Sequence, residues 1–443
     1  MNGIVVLKEA SKVVLSVLGT AKSLENVTYV KSLFVVSVDV EDGSLLYSFL
    51  TGELILVRKK YSIDYLINHR FLVDSMVDEL SSVAKYQRVM RLLNNRVQSN
   101  IRTFEIMTTT SCNANCFYCY EKEFPIKVMS DRTSREVAKF IMRNKCSGQI
   151  HIRWYGGEPL MNTMSIDAIS DILANNNINW TSSMITNGLL FSGDLIRKVQ
   201  EWRLKHVTIT LDGTEKTYNS TKSYNIRNIS PYKIILRNIT GLLEAGMAVT
   251  IRVNIEQYNL EDAKVLLNDL RNRFCKYRQR LGFMLRPLMN TAFDRTIESI
   301  DKAIVFKSIM AEMDHTFALG YKVTGMLPSG VNGRCCKADS GNYIVIKPDG
   351  DISFCTGNYH TCHGQNVFKN QELLFPDLSK HIFRKVQLCG SCPKNIVCIP
   401  TKDCATYKET ICKPIQKELM LHEIRLSMLQ KYREFLTPEF NEN

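Results

Sequence analysis

The stretch Thr110-Ser111-Cys112-Asn113-Ala114-Asn115-Cys116-Phe117-Tyr118-Cys119-Tyr120-Glu121 sets three thiols in a C-x3-C-x2-C spacing, directly after the apolar run Phe104 to Thr109. Three thiolates on one tight loop can hold three irons of a 4Fe-4S cubane and leave the fourth iron open. An open iron is a place for a substrate, so the arrangement suits chemistry better than electron storage. A zinc knuckle is the plainer alternative, but structural zinc takes a fourth ligand and a paired C-x2-C element nearby. The last third of the chain concentrates thiols again. Cys335-Cys336 precede Cys355, and Cys389, Cys392, Cys398, Cys404 and Cys412 follow. A pair of zinc-ribbon sites would be the bland reading of that region.

These loops need elements to carry them. Strand-like runs at Phe104–Thr109, Ile150–Tyr155, Ser182–Thr186, Val207–Leu211, Val249–Ile255 and Phe283–Pro287 alternate with amphipathic helical stretches. The helices fall near Ser130–Lys145, Met164–Asn175, Gly193–Arg203, Tyr232–Ala245, Leu260–Phe274 and Glu298–Phe317, with Ser130 and Asn259 as N-cap candidates. Six βα units in succession predict an α/β fold, a partial (β/α)6 TIM-like barrel. Its active site belongs at the carboxyl ends of the strands, and the cysteine loop ends the first of them.

Before the barrel, Val27–Val40 and Leu45–Val57 read as strands, with Glu41-Asp42-Gly43 as a hairpin signal. Helical patterning follows at Ile63–Asn68 and Val73–Asn95. After the barrel come a strand at Asn342–Lys347, a Pro348-Asp349-Gly350 turn and a closing amphipathic helix from Lys413 to Leu436. The expected domains are a small α+β module over 1–98, the barrel over 99–320, a cysteine-rich domain over 321–413 and a C-terminal helix over 414–443.

Composition narrows the class. The chain has 443 residues, enough for two or three domains and a large core. Of its fourteen cysteines, all but Cys146 and Cys275 lie in 112–119 and 335–412, which argues for metal clips over a spread disulfide framework. Cys146 and Cys275 sit on helical stretches and read as packing residues. No run of eighteen apolar residues occurs, so the expectation is a cytoplasmic protein without a membrane span. The net charge of +13 comes without a compact Lys/Arg tract carrying interleaved aromatics, so nucleic acid is not an expected partner.

The cysteine loop, with Tyr118 just before its last cysteine, resembles the radical S-adenosylmethionine (SAM) superfamily. The resemblance extends to Gly156-Gly157-Glu158-Pro159 after the second strand, similar to the segment that holds the SAM amino group. Two glycines let backbone approach a ligand, and Glu158 offers a carboxylate to an ammonium. Thr186-Asn187-Gly188 and Leu211-Asp212-Gly213 resemble segments lining the SAM pocket; turn residues satisfying their own backbone are the alternative for Asn187 and Asp212. Related enzymes place an Arg about ten residues past the Asp-Gly turn to pair with the SAM carboxylate. Lys222 stands there instead, which keeps the charge and loses the bidentate fork.

The C-terminal cysteines resemble the SPASM extension of radical SAM proteins, which holds two auxiliary 4Fe-4S clusters. By that resemblance Cys389, Cys392, Cys398 and Cys412 form the outer cluster. Cys335 or Cys336, with Cys355 and Cys404, form the inner one. Its fourth ligand is open between the other member of the 335/336 pair, Cys362 and a substrate. Cys404 departs from the family spacing, with five residues before it in place of three.

The resemblance implies three 4Fe-4S clusters, one binding SAM, and a 5′-deoxyadenosyl radical that abstracts hydrogen from an unactivated C–H, with Tyr118 packed on the adenine. It implies an electron donor of the flavodoxin or ferredoxin type. The favoured substrate is a ribosomally made precursor peptide, crosslinked by a bond such as a thioether. Alternatives are formylglycine formation of the sulfatase-maturing kind and radical chemistry on a small molecule. Thr356 stands where sulfatase-maturing relatives carry a working Asp, which counts against formylglycine. Residues 1–98 read as a leader-peptide reader that adds the peptide as an edge strand, or as a cap on the barrel.

Overall fold

The computed structural model describes residues 3–59, 61–95, 101–224, 229–288, 302–323, 325, 327–331, 341–356, 364–369, 373–374, 392–397 and 414–437. The chain divides into two compact units. One comprises Met1–Gln98, Thr324–Cys336 and Asp377–Asn443, the other Ser99–Val323 and Lys337–Pro376. No described helix is long and apolar enough to cross a membrane.

The first unit begins with β1 (Ile4–Lys8), α1 (Lys12–Leu18), β2 (Tyr29–Lys31), β3 (Val35–Val40), β4 (Gly43–Ser48), β5 (Leu54–Val57), α2 (Ile63–Asn68), β6 (Leu72–Asp74) and α3 (Glu79–Asn95). Strands β1, β5, β4 and β3 form an antiparallel sheet in that order, and β2 pairs with β6. The hairpin read at Glu41-Asp42-Gly43 is real: Val40 faces Gly43 across a two-residue turn. The run Leu45–Val57 is two strands and not one. Ser48 N–H bonds the carbonyl of Glu53 and Gly52 N–H that of Ser48, folding the chain back between them. The stretch Val73–Asn95 likewise opens as a strand, since Lys31 pairs with Leu72 and Tyr29 with Asp74, and turns helical only at Glu79. The sequence reading missed β1 and α1. Phe34, Tyr47, Phe49 and Leu54 form a core that also takes in Ile424 and Met428 of the closing helix, Pro414–Leu436.

The second unit holds β7 (Thr103–Thr109), α4 (Asp131–Asn144), β8 (Ile150–Gly156), α5 (Thr163–Asn175), β9 (Trp180–Thr186), α6 (Gly193–Arg197), β10 (Leu204–Thr210), α7 (Glu215–Lys222), α8 (Pro231–Glu244), β11 (Ala248–Ile255), α9 (Leu260–Arg273), β12 (Leu281–Pro287), α10 (Lys302–Ala318), β13 (Lys322–Val323), β14 (Tyr343–Ile346) and β15 (Ile352–Ser353). The closing helix is α11. The sheet order is β13-β12-β11-β10-β9-β8-β7-β14-β15, so the six predicted strands are neighbours in chain order. All six pair in parallel, as the barrel expectation requires. The strand expected at Asn342–Lys347 is β14, which pairs in parallel with β7 and extends this same sheet.

Strands β8 and β9 alternate in burial. In β8, Ile150, Ile152 and Trp154 are buried, while His151, Arg153 and Tyr155 are half-buried on the inner face. The helices cover the other face: α8 buries Ile235, Leu236, Ile239, Leu242 and Leu243. Ser130 caps α4 as expected, accepting from Thr133 N–H at 3.1 Å. Asn259 stands at the start of α9 but does not cap it. Its amide donates instead to the carbonyls of Asp212 at 2.7 Å and Asn254 at 2.9 Å. The helix expected over Gly193–Arg203 stops at Arg197, and the chain turns through a left-handed Arg203 (φ 46°) to enter β10. Helix α7 was not anticipated. Its Thr, Asn and Ser are poor helix formers, and burial of Tyr218 and Lys222, one turn apart on one face, compensates.

Candidate active site

The cysteine loop leaves β7 at Thr109, and backbone bonds pin its root. Gly157 N–H donates to the Thr109 carbonyl at 3.1 Å, Glu158 N–H to Ser111 at 2.9 Å, and Thr110 N–H to Lys127 at 2.9 Å. Farther along, Asn115 N–H donates to the Lys222 carbonyl at 2.8 Å and Cys119 N–H to Cys116 at 3.2 Å. Cys112 is exposed, and Cys116 and Cys119 are half-exposed. Although the residue as a whole is exposed, protein packed around its sulfur is the main cause that pushes the Cys112 thiol up to about 12, and burial likewise raises Cys119. Metal binding would have to displace those protons. N–H donors already wait at the sulfur: Ala114 N at 3.4 Å and Asn187 Nδ2 at 3.9 Å from Cys112 Sγ. No group of three His, Cys, Asp or Glu among the described residues is gathered for a single metal ion. Three thiols on one pinned loop, met by N–H donors, are a donor set that fits a cluster with one iron left open.

The Gly-Gly-Glu turn packs its backbone tightly. A Cβ on Gly156, whose φ is 125°, would lie 2.2 Å from the Thr109 carbonyl oxygen, and one on Gly157 would lie 2.3 Å from that of Ser111. The close approach is to the root of the cysteine loop. Glu158 is wholly buried. Its carboxylate accepts from Thr186 Oγ1 at 2.8 and 2.9 Å, Asn187 N–H at 2.8 Å and Leu160 N–H at 3.1 Å. Burial dominates and pushes its pKa up to about 7, against the pull of these donors. Both oxygens are thus engaged within the protein, tying β8 to the end of β9. Asn187 serves two roles at once. Its Oδ1 accepts from Leu189 N–H at 3.0 Å, closing its own turn, while Nδ2 donates to Asn113 Oδ1 at 2.7 Å in the cysteine loop.

Tyr118, Asp212 and Lys222 meet although they are far apart in sequence. Tyr118 donates its hydroxyl to Asp212, and Lys222 Nζ lies 2.8 Å from Tyr118 Oη and 3.3 Å from Asp212 Oδ2. Asn254 completes the group, donating from N–H and Nδ2 to Asp212 Oδ1, each at 3.0 Å. Burial is the largest influence on Lys222 and opposes its charge, but Asp212, Tyr118 and Cys116 outweigh it and hold the ammonium well above its ordinary pKa. Burial also raises Tyr118. The cation expected to face a cofactor carboxylate is therefore held by Asp212 and Tyr118, and its carbonyl grips Asn115. The bracing by Asn113, Asn254 and Asn259 was not anticipated, Asn259 having been expected only as an N-cap; side-chain amides carry no local signal that separates a brace from a turn.

The inner face of the sheet is polar. Arg153 pairs with Glu105 at 3.0 Å, and Tyr343 of β14 donates to the same carboxylate at 2.9 Å. Tyr155 and Tyr120 share a hydroxyl–hydroxyl bond, joining β8 to the end of the cysteine loop. His206 Nε2 lies 2.8 Å from Thr250 Oγ1.

Of the second cysteine group, Cys355 follows β15 in the second unit, half-buried, and Cys392 is buried at the start of the 3-10 turn Pro393–Ile396 in the first. Gly350 (φ 83°) makes the turn before β15 with its Cα packed toward Val367. Cys335, Cys336, Cys362, Cys389, Cys398, Cys404 and Cys412 lie outside the described residues. Cys146 is buried as expected, just past α4, but Cys275 is exposed on the 3-10 turn Cys275–Tyr277 and packs in no core.

Residues 106–270 match the family model of the radical SAM superfamily. The chain is 28% identical over 278 residues to a GTP 3',8-cyclase of Clostridium perfringens, spanning 59% of this chain and 81% of that one. Its fold is similar to that of anSMEcpe solved with bound AdoMet and Cp18Cys peptide, with a TM-score of 0.56 at 14% identity over 75% of this chain and 98% of that one. It is also similar to Streptococcus suis SuiB bound to precursor peptide SuiA, with a TM-score of 0.52 at 14% identity, over 84% and 94% of the two chains. The barrel is a radical SAM domain, and the protein is a radical SAM enzyme.

Proposed function

We propose that this radical SAM enzyme matures a ribosomally made precursor peptide, taking hydrogen from one of its residues and installing a crosslink such as a thioether. The observation that carries the reading is the bracing of the cysteine loop. Gly157, Glu158, Asn187 and Lys222, from the segments that follow β8, β9 and β10, all bond the stretch Thr109–Asn115 at the carboxyl end of β7. Chemistry on an unactivated C–H needs such fixed geometry. With a cluster on Cys112, Cys116 and Cys119 and SAM in place, the cofactors would supply an organic radical able to take that hydrogen. The chain's own work is positional. Tyr118, locked by Asp212 and Lys222, offers a fixed ring beside the loop, and the Glu158 contacts hold β8 and β9 in step.

Two further clusters, on Cys335 or Cys336, Cys355, Cys389, Cys392, Cys398, Cys404 and Cys412, belong to the same reading, with a flavodoxin or ferredoxin as electron donor in the cytoplasm. A peptide substrate is supported by the peptide-bound relatives of like fold, SuiB and anSMEcpe. The small module ahead of the barrel is proposed as a leader-peptide reader.

Anaerobic iron and sulfide analysis of the reconstituted protein tests this, with the Cys112→Ala/Cys116→Ala/Cys119→Ala variant alongside. About twelve irons falling to about eight in the variant is the expected result. Zinc without sulfide overturns the enzyme reading. Should removal of residues 1–98 leave turnover of a small molecule intact, the peptide substrate falls and the radical chemistry stands.

A further inference from the structure

The segments that brace the cysteine loop follow β8, β9 and β10. The other half of the sheet presents two arginines. Register pairs Arg252 of β11 with Met284 and Asn254 with Arg286 of β12. Arg252, Asn254 and Arg286 therefore share one face at the carboxyl ends of adjacent strands, Arg252 and Asn254 two residues apart. Arg252 and Arg286 are half-buried.

Asn254 decides where Arg252 points. Its Oδ1 accepts from Arg252 Nε at 2.9 Å while its Nδ2 donates to Asp212 Oδ1 at 3.0 Å. The amide that braces Asp212 thus also fixes the guanidinium. Among the described residues, no carboxylate lies within ion-pair distance of Arg252, and its two terminal nitrogens have no hydrogen-bond partner. The acidic groups nearby are engaged elsewhere: Asp212 by Tyr118, Lys222 and Asn254, and Glu105 by Arg153 and Tyr343. The pKa of Arg286 is lowered by burial first and then by the charge of Arg252. An anion at Arg252 would offset that like-charge effect.

We propose that Arg252, aimed by Asn254 and flanked by Arg286, receives a carboxylate of the substrate peptide, either an Asp or Glu side chain or the C-terminal carboxylate. The terminal nitrogens of Arg252 offer the parallel donors that a carboxylate takes bidentately. This rests on the peptide-maturase reading. It adds that the peptide is read through an acidic group on the β11–β12 side of the site.

The test uses the reconstituted full-length holoenzyme and a library of short random peptides, synthesised with free and with amidated C-termini. S-adenosylhomocysteine is present throughout. The wild type should retain peptides enriched in Asp and Glu over Asn and Gln, or in free over amidated termini, and the two arms tell which carboxylate is bound. Arg252→Gln should lose about ten- to a hundredfold of that preference. Arg252→Lys, which keeps the charge and loses the fork, should keep part of it. It also serves, with Arg286→Gln, if the Gln variant fails to fold by circular dichroism and iron content. No acidic preference in the wild type, or an undiminished one in the variants, overturns the proposal. So does a variant that binds S-adenosylhomocysteine more weakly but 5′-deoxy-5′-methylthioadenosine, which lacks the carboxylate, as well as the wild type. In that case the arginine serves the cofactor. A wild type that binds neither nucleoside overturns the radical SAM site itself, a distinct result.

Discussion

Lys222 and Asp212 face each other at 3.3 Å with both side chains almost wholly buried, and Tyr118 bridges them. A buried pair of this kind costs little to replace whole and much to break, because a lone charge left in a dry site has lost its water without gaining a partner.

Lys222→Met should therefore lower unfolding stability by about 3–5 kcal/mol by stranding Asp212. Adding Asp212→Asn should recover most of that loss, since Asn254 and Tyr118 can still bond an amide. Denaturant midpoints of the single and double variants decide. A double variant no better than the single one would mean that the pair is not coupled.

Gly157→Ala places a methyl group against the Ser111 carbonyl oxygen, at 2.3 Å before relaxation. The backbone there must move, at a cost of about 1–3 kcal/mol, and the cysteine loop moves with it. Reconstituted protein should hold about four fewer irons while keeping its far-ultraviolet circular dichroism. A full iron complement would show that the loop tolerates the shift.

Glu105 accepts from both Arg153 and Tyr343. Glu105→Leu leaves Arg153 without its carboxylate and should cost about 2–3 kcal/mol, discounted because Arg153 keeps some contact with water. Tyr343→Phe removes the hydrogen bond to Glu105, whose carboxylate remains satisfied by Arg153, so its cost should be about 1 kcal/mol. Equal costs for the two would contradict the assignment of Arg153 as the principal partner.

His206 has its pKa lowered, by burial first and then by Arg153. A histidine whose folded pKa lies below its unfolded value favours the native state above the unfolded pKa and gives that stability up as pH falls through the folded one. Below about pH 6.5, the wild type should lose stability that His206→Gln does not. Denaturant midpoints of the two proteins at pH 7.5 and pH 5.5 give the comparison, and parallel pH profiles would rule out His206 as the source.

The six barrel strands were legible because their signals are local. Alternation of period two, bounded by turn residues, marks Ile150–Gly156 or Ala248–Ile255 whatever lies beside them. The cysteine loop was legible for the same reason: its ligands stand within eight consecutive positions of the chain. The glycines after β8 could be seen to need close approach, but not to what.

What waited for the tertiary structure is what depends on partners distant in the chain. Tyr118 is 94 residues from Asp212 and 136 from Asn254, and no spacing rule relates them. Lys222 has the right charge for a cofactor carboxylate, yet closing the barrel carries it to Asp212 first. Strand β14 reads as an isolated strand until it lies against β7, and α11 reads as a free amphipathic helix until Ile424 and Met428 join the core of Phe34 and Tyr47. Propensity and periodicity act over a few residues. The choice among several chemically adequate partners is made by the packing of the whole sheet, which brings Asp212 rather than another carboxylate against Lys222.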